Sequence, residues 1–137
     1  MQLEVDISSE SDVPVLVSRA GRALTAAGVL DEERGRVLTV CAELGQNIAK
    51  YGSYGQVTLR IEDDARGCTL TVEASDRGPG IADVAAALRD HFSSGGTLGL
   101  GLPGVKRLMD DLQIDSSPGA GTRVRAMRRL CARRGGR

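Results

Sequence analysis

The stretch Ala74-Ser75-Asp76-Arg77-Gly78-Pro79-Gly80-Ile81 constrains this chain more than any other. It leaves a strand-like run, Thr69-Leu70-Thr71-Val72-Glu73-Ala74, and turns sharply through Asp-x-Gly-x-Gly. Each glycine lacks a Cβ, so the backbone can take positive φ and let a flat ligand lie against it. The carboxylate of Asp76, at the strand's end, offers that ligand a fixed acceptor. A second run, Gly95-Gly96-Thr97-Leu98-Gly99-Leu100-Gly101, stops at Leu102-Pro103, where a helix is predicted to begin. Glycines leading into a helix N-terminus suit an anion, because free N–H groups and the positive dipole end point the same way. Together the two stretches read as a nucleotide site; neither alone would.

The chain around them reads as strands and helices in the order β-α-α-β-β-α-α-β-β. Gln2 to Ile7 alternates as an opening strand. Val13 to Ala27 places Val13, Leu16/Val17, Ala20, Leu24 and Ala27 at helical spacing, with Gly28 as the stop. A second helix runs from Asp31 to about Tyr51 and ends at Gly52. Leu38, Cys41, Leu44, Ile48 and Tyr51 form its apolar stripe, beside a polar stripe of Thr39, Glu43, Gln46, Asn47 and Lys50. Gln56–Glu62 and Cys68–Ala74 form a hairpin through the turn at 63–67. Ala82–Asp90 is predicted helical. After the glycine loop come a short helix around Val105, Leu108 and Met109, a strand over Leu112–Asp115, a turn at Pro118-Gly119-Ala120-Gly121, and a last strand over Thr122–Leu130. This pattern predicts an α+β fold, a two-layer α/β sandwich in which helices cover one face of a mixed, mainly antiparallel sheet. There is no Rossmann unit opening on GxGxxG and no GxxxxGK[ST], which sets aside the dinucleotide-binding and P-loop classes.

Length and composition fit one domain over residues 1–137. Hydrophobic residues make up 41%, ordinary for a globular chain, but aromatics only 2%, so aliphatic side chains and alanine must fill the core. A formal net charge of +0 lacks the basic excess of a nucleic-acid binder. The exception is local: Arg128, Arg129, Arg133, Arg134 and Arg137 suggest a basic, flexible tail over about 128–137. Cys41, Cys68 and Cys131 have neither CxxC nor metal spacing, and the first two fall on apolar faces, so buried thiols are expected. No signal pattern or long apolar run is present, and the expectation is a cytoplasmic protein with no membrane partner.

Glu43 and Asn47 stand four apart and project from one helix face. Such a pair is usually a solvated polar face. Here two glycine motifs follow it, and the apolar stripe pins this face beside the sheet. An Asn amide oxygen is a hard neutral ligand suited to Mg²⁺, and a Glu one turn away can take a proton from an attacking hydroxyl or water. Asp76 alone could be a turn acid capping Gly78, and Gly119-Ala120-Gly121-Thr122 an ordinary hairpin turn. His91, Ser93 and Ser94 are given no catalytic role.

Glu43-Leu-Gly-Gln-Asn47, Asp76-Arg-Gly-Pro-Gly80, Gly95-Gly-Thr-Leu-Gly-Leu-Gly101 and Gly119-Ala-Gly121-Thr122 resemble, in order, the ATP-binding boxes of the GHKL superfamily. That superfamily includes gyrase B, Hsp90, MutL and sensor histidine kinases, and the resemblance spans nearly the whole chain. The run from Asp76 to Met109, with its short lid, is most similar to RsbT-type serine/threonine switch kinases of bacterial partner-switching pathways. RsbW/SpoIIAB-type anti-sigma kinases are the nearest relatives.

The resemblance implies the GHKL (Bergerat) ATP-binding fold, ATP and Mg²⁺ as cofactors, and a role for each matching position. Asn47 holds Mg²⁺, and Glu43 is the general base or water-orienting carboxylate. Lys50 joins the nucleotide-binding set. Asp76 accepts from the adenine amino group, Gly78 and Gly80 let the base sit close, and Thr122 supports it through its hydroxyl. Gly95, Gly96, Thr97, Leu98, Gly99, Leu100 and Gly101 form the lid on the phosphates. The implied substrate is a serine or threonine of an STAS-domain antagonist protein, in stress or sigma-factor regulation. Anti-sigma kinases carry a histidine four residues after the metal-binding Asn; Tyr51 stands there instead. This favours docking on an activator such as a PP2C-type phosphatase over direct binding of a sigma factor. Monomer and homodimer both agree with the relatives. The alternative is a non-catalytic or anti-sigma-type sequestering module that uses nucleotide only as a conformational switch.

Overall fold

Alternation along four of five strands puts Val5, Ile7, Val57, Leu59, Leu70, Val72, Val124 and Ala126 on one side of a sheet, all buried, beneath the helices. The computed structural model that shows this describes residues 1–51, 53–80 and 101–130. Its elements are β1 (Gln2–Ile7), α1 (Asp12–Ala26), α2 (Asp31–Tyr51), β2 (Gly55–Asp64), β3 (Gly67–Asp76), α3 (Leu102–Leu108), β4 (Asp111–Ser116) and β5 (Thr122–Leu130). The helix predicted over Ala82–Asp90, His91, Ser93, Ser94, the loop residues Gly95 to Leu100 and the end of the chain from Cys131 lie outside the described residues.

The strand order is β1-β2-β3-β5-β4, and every pairing among the described residues is antiparallel. A mixed sheet was expected. β3 and β4 do run in the same direction, but β5 inserts between them and pairs with both, so the two parallel strands never touch. β2 and β3 are longer than their apolar alternation suggests. The hairpin ladder continues to Asp64↔Gly67 at one end and Gly55↔Asp76 at the other.

Sequence-local chemistry sets the helix ends. Asp12 Oδ2 accepts from the N–H groups of Ser8 (2.8 Å) and Ser9 (3.2 Å), which holds its carboxyl below the usual range. At the other end of α1, Gly28 takes φ +80°, its N–H reaches Thr25 O (3.0 Å), and Val29 N–H reaches Leu24 O (3.0 Å). This is a Schellman stop, and Val29 is buried beyond it. On α2 the buried face comprises Val37, Val40, Cys41, Leu44, Gly45 and Ile48. Leu38, expected on that stripe, instead faces Gly21 of α1, and Tyr51 is only half-buried. Among the described residues the buried core is aliphatic apart from Cys41, Cys68, Met109 and Thr71, with no aromatic side chain in it. Burial pushes the Cys41 thiol up to about 12, and Cys68 is also buried.

Arg128 and Arg129 are not tail residues. They lie within β5, where alternation turns Arg128 toward the helices and Arg129 toward the open face. Arg128 Nε and Nη2 donate to Glu33 Oε1 and Oε2, each at 3.0 Å, and Nη1 donates to Asp110 Oδ1 at 3.1 Å. Arg129 grips Asp64 with two bonds of 2.8 Å. The carboxylates at the start of α2, in the β2–β3 hairpin and before β4 thus tie both arginines into the ladder.

Candidate functional site

β3 ends at Asp76, β5 begins at Thr122 and β4 ends at Ser116, and these residues sit side by side in the register, Asp76↔Thr122 and Thr122↔Ser116. The row lies at one end of the sheet. Alternation puts its side chains on the same side as Ala74 and Val124, facing the helical layer.

Asp76 is half-buried, and Gly78 N–H donates to its Oδ1 at 2.8 Å. Burial pushes its carboxyl above the usual range, opposed by hydrogen bonds from the backbone N–H groups of Gly78 and Thr122. This acid is held in place by donors yet kept from full solvation, so a further donor would be welcome.

The turn after Asp76 and the turn before Thr122 close on each other backbone to backbone. Gly119 N–H donates to Pro79 O at 2.7 Å. A Cβ on Gly80 (φ +84°) would overlap Ser117 O, and one on Gly121 (φ +78°) would overlap Asp76 O. Both positions therefore need glycine on two counts, conformation and space. Two motifs more than thirty residues apart in the chain make one structure. A cleft of about 350 Å³ opens there, lined by Asp76, Ser116, Gly121 and Thr122 with the outward-facing Asp115 and Arg123. That is room for a small ligand or part of one.

The other residues expected at the site are on α2. Glu43 and Asn47 are both half-buried and Lys50 is exposed. α3 packs against α2, with Leu102 and Val105 buried. Gly101 precedes α3 with φ +69°, and a Cβ there would overlap Oε1 of Glu43. The carboxylate expected to act as base therefore meets the last residue of the glycine loop. The remaining loop residues, Gly95, Gly96, Thr97, Leu98, Gly99 and Leu100, lie outside the described residues.

Two contributors were not foreseen. Tyr54, 49% exposed, accepts at its carbonyl from Arg77 N–H (3.2 Å), and the Arg77 guanidinium stands 5.5 Å from its ring centroid. This contact clamps the segment after α2 to the Asp76 turn. Ser116 hydrogen-bonds Thr122 Oγ1 at 2.9 Å. Only the strand register reveals Ser116; an aromatic two residues past Gly52 was the sole hint of Tyr54.

Residues 8–128 match the family model of the histidine kinase-like ATPase domain. The chain is 38% identical over 127 residues to the serine/threonine-protein kinase RsbT of Bacillus subtilis, covering 92% of this chain and 95% of that one. It is 30% identical over 98 residues to an anti-sigma F factor of Thermoanaerobacter sp., covering 69% and 68%. A chain in the crystal structure of the SiaB–SiaC complex from Pseudomonas aeruginosa shares the fold, with TM-score 0.61 at 17% identity over 93% of this chain and 89% of that one. With its two glycine turns closed around Asp76 and the Glu43 helix beside Gly101, the chain belongs to the histidine kinase-like ATPase domain family.

Proposed function

We propose that this chain is an ATP- and Mg²⁺-dependent protein serine/threonine kinase that phosphorylates an STAS-domain antagonist protein. After transfer it binds an activator, such as a PP2C-type phosphatase. The observation that carries the reading is the closure of the Gly80 and Gly121 turns around a desolvated carboxylate, Asp76. The similarity to a kinase named RsbT over nearly its full length supports the choice of reaction.

In this reading the adenine amino group donates to Asp76, Thr122 stands beside it, and Gly78 and Gly80 leave space for the ring. Among the described residues no cluster of three His, Cys, Asp or Glu could hold a metal by itself. The donor set suits a cation that draws most of its ligands from phosphate and water oxygens, and the Asn47 amide oxygen fits Mg²⁺ in that role. When bound, the ion supplies charge neutralisation across the phosphates. Lys50, at the exposed end of α2, adds a cation there.

Glu43 takes the proton from the acceptor hydroxyl as its oxygen attacks the γ-phosphorus. The bond from that phosphorus to the β–γ bridging oxygen breaks, and ADP and a phosphoserine or phosphothreonine result. The protein's contribution is mostly position: α2 fixes the base and β3 fixes the adenine.

The test is transfer of labelled γ-phosphate from Mg-ATP to a panel of STAS proteins, with ATP binding measured alongside. Wild type labels one of them. Glu43→Ala loses transfer by about 100-fold or more while still binding ATP, and Asn47→Ala loses the Mg²⁺ dependence of binding. Undiminished transfer by Glu43→Ala would remove it as base. ATP binding with no labelled protein would favour the sequestering module instead.

A further inference from the structure

Ser116 Oγ donates to the carbonyl oxygen of Gly121 at 3.0 Å. A carbonyl only accepts. The same hydroxyl lies 2.9 Å from Thr122 Oγ1. A serine hydroxyl has one proton. With that proton on Gly121, Ser116 is the acceptor toward Thr122, and the Thr122 hydroxyl must donate. Proton direction therefore runs from Thr122 to Ser116 to Gly121, and Thr122 is left with lone pairs for the cleft.

Asp76, its neighbour in the register, is also an acceptor. We propose that Ser116 is a positioning residue that sets nucleotide specificity: by taking the Thr122 proton it leaves the Asp76 and Thr122 side chains both as acceptors toward the cleft, which admits 6-aminopurines and rejects 6-oxopurines. This deepens, and rests on, the reading of the cleft as the adenine site.

The chemistry follows from hydrogen-bond polarity. A 6-amino group gives a proton to Asp76, and a water donating twice satisfies both Thr122 and the purine N1 acceptor. A 6-oxo group brings an acceptor against two acceptors. Its N1 is then a donor, which the same water cannot serve while still donating to Thr122. Leaving such groups unpaired is what makes a polar site selective. The turn geometry keeps the arrangement rigid. Gly121, whose carbonyl anchors the relay, is the residue whose backbone is packed against Asp76 O.

The experiment measures dissociation constants of ATP and inosine triphosphate for the full chain. It compares wild type, Ser116→Ala, Ser116→Thr, and Ser116→Ala in a Thr122→Val background. Ser116→Cys, close in size but a weak donor and acceptor, is run beside Ser116→Ala in case the latter does not fold. Wild type prefers ATP, and Ser116→Ala lowers that preference about fivefold because the freed Thr122 proton can turn to the 6-oxo group. Ser116→Thr restores the preference, and in the Thr122→Val background Ser116→Ala changes nothing. An unchanged preference in Ser116→Ala or Ser116→Cys, with ATP still bound, overturns the role of Ser116 alone. A wild type that binds neither nucleotide overturns the adenine reading and the Ser116 role together.

Discussion

The carboxylate of Glu43 occupies the space that a side chain on Gly101 would need: a Cβ at 101 would overlap Oε1 and stand 2.9 Å from the carboxylate carbon. The contact joins the middle of α2 to Gly101, the residue just before α3. A residue read as the base and one read as part of the lid are thus in direct contact, so moving either should disturb the other.

Gly101→Ala tests this. The new Cβ forces Glu43 aside, and φ +69° strains any non-glycine residue. The expected outcome is a loss of phosphotransfer of at least about tenfold, with destabilisation on the order of 1–2 kcal/mol. Steady-state kinetics and urea unfolding check the two parts. Full activity in this variant would show that the position of Glu43 is not coupled to the loop.

The Asp76 carboxyl titrates above its ordinary value because burial disfavours its charge. The folded chain then holds this proton more tightly than the unfolded chain, so the contribution of Asp76 to stability is greatest below the unfolded carboxylate value. It is lost as pH rises through the folded one. Relative to Asp76→Asn, wild type should gain stability as pH falls through the carboxylate range. Nucleotide binding should run the other way, weakening at the same acid pH, because an amino donor prefers the ionised acid. Melting temperatures and ATP affinities measured across that range decide both; a stability difference that does not vary with pH would contradict the burial argument.

Arg128 links β5 to Glu33 of α2 and to Asp110. Its side chain is 22% exposed and its guanidinium is bidentate on Glu33, better placed than an ordinary surface pair. Arg128→Met keeps the stem and removes the charge, leaving Glu33 and Asp110 without their shared partner. A loss of about 1 kcal/mol, smaller in high salt, is expected in urea unfolding, with nucleotide affinity unchanged. A change in affinity would mean that this network reaches the site.

Much of this was legible in advance because its causes are local. The helix face that Glu43 and Asn47 share follows from their spacing, the strand-end place of Asp76 from a strand running into Asp-x-Gly-x-Gly, and the stop at Gly28 from its place after an apolar helix. What was not legible depends on which strand lies beside which. Ser116 gains meaning only through its pairing with Thr122. Arg128 looked like the start of a charged tail because nothing near it in the chain mentions Glu33. Leu38 belonged to a helical stripe by spacing, yet α1 lay on that side of α2. The sheet looked mixed until β5 was found between β3 and β4.

The row Asp76, Thr122, Ser116 also imposes an order of events on the chain's synthesis. The acid is made first, and its two neighbours emerge from the ribosome only after the whole glycine loop and α3. Until β5 threads between β3 and β4, the cleft has one wall. A ligand that recognises the finished cleft can therefore give nothing to a partly made chain. The central strand β3 must wait with one edge unpaired for β5 to arrive, and for that interval the nascent protein depends on the three-stranded β1–β2–β3 sheet and the two helices packed on it.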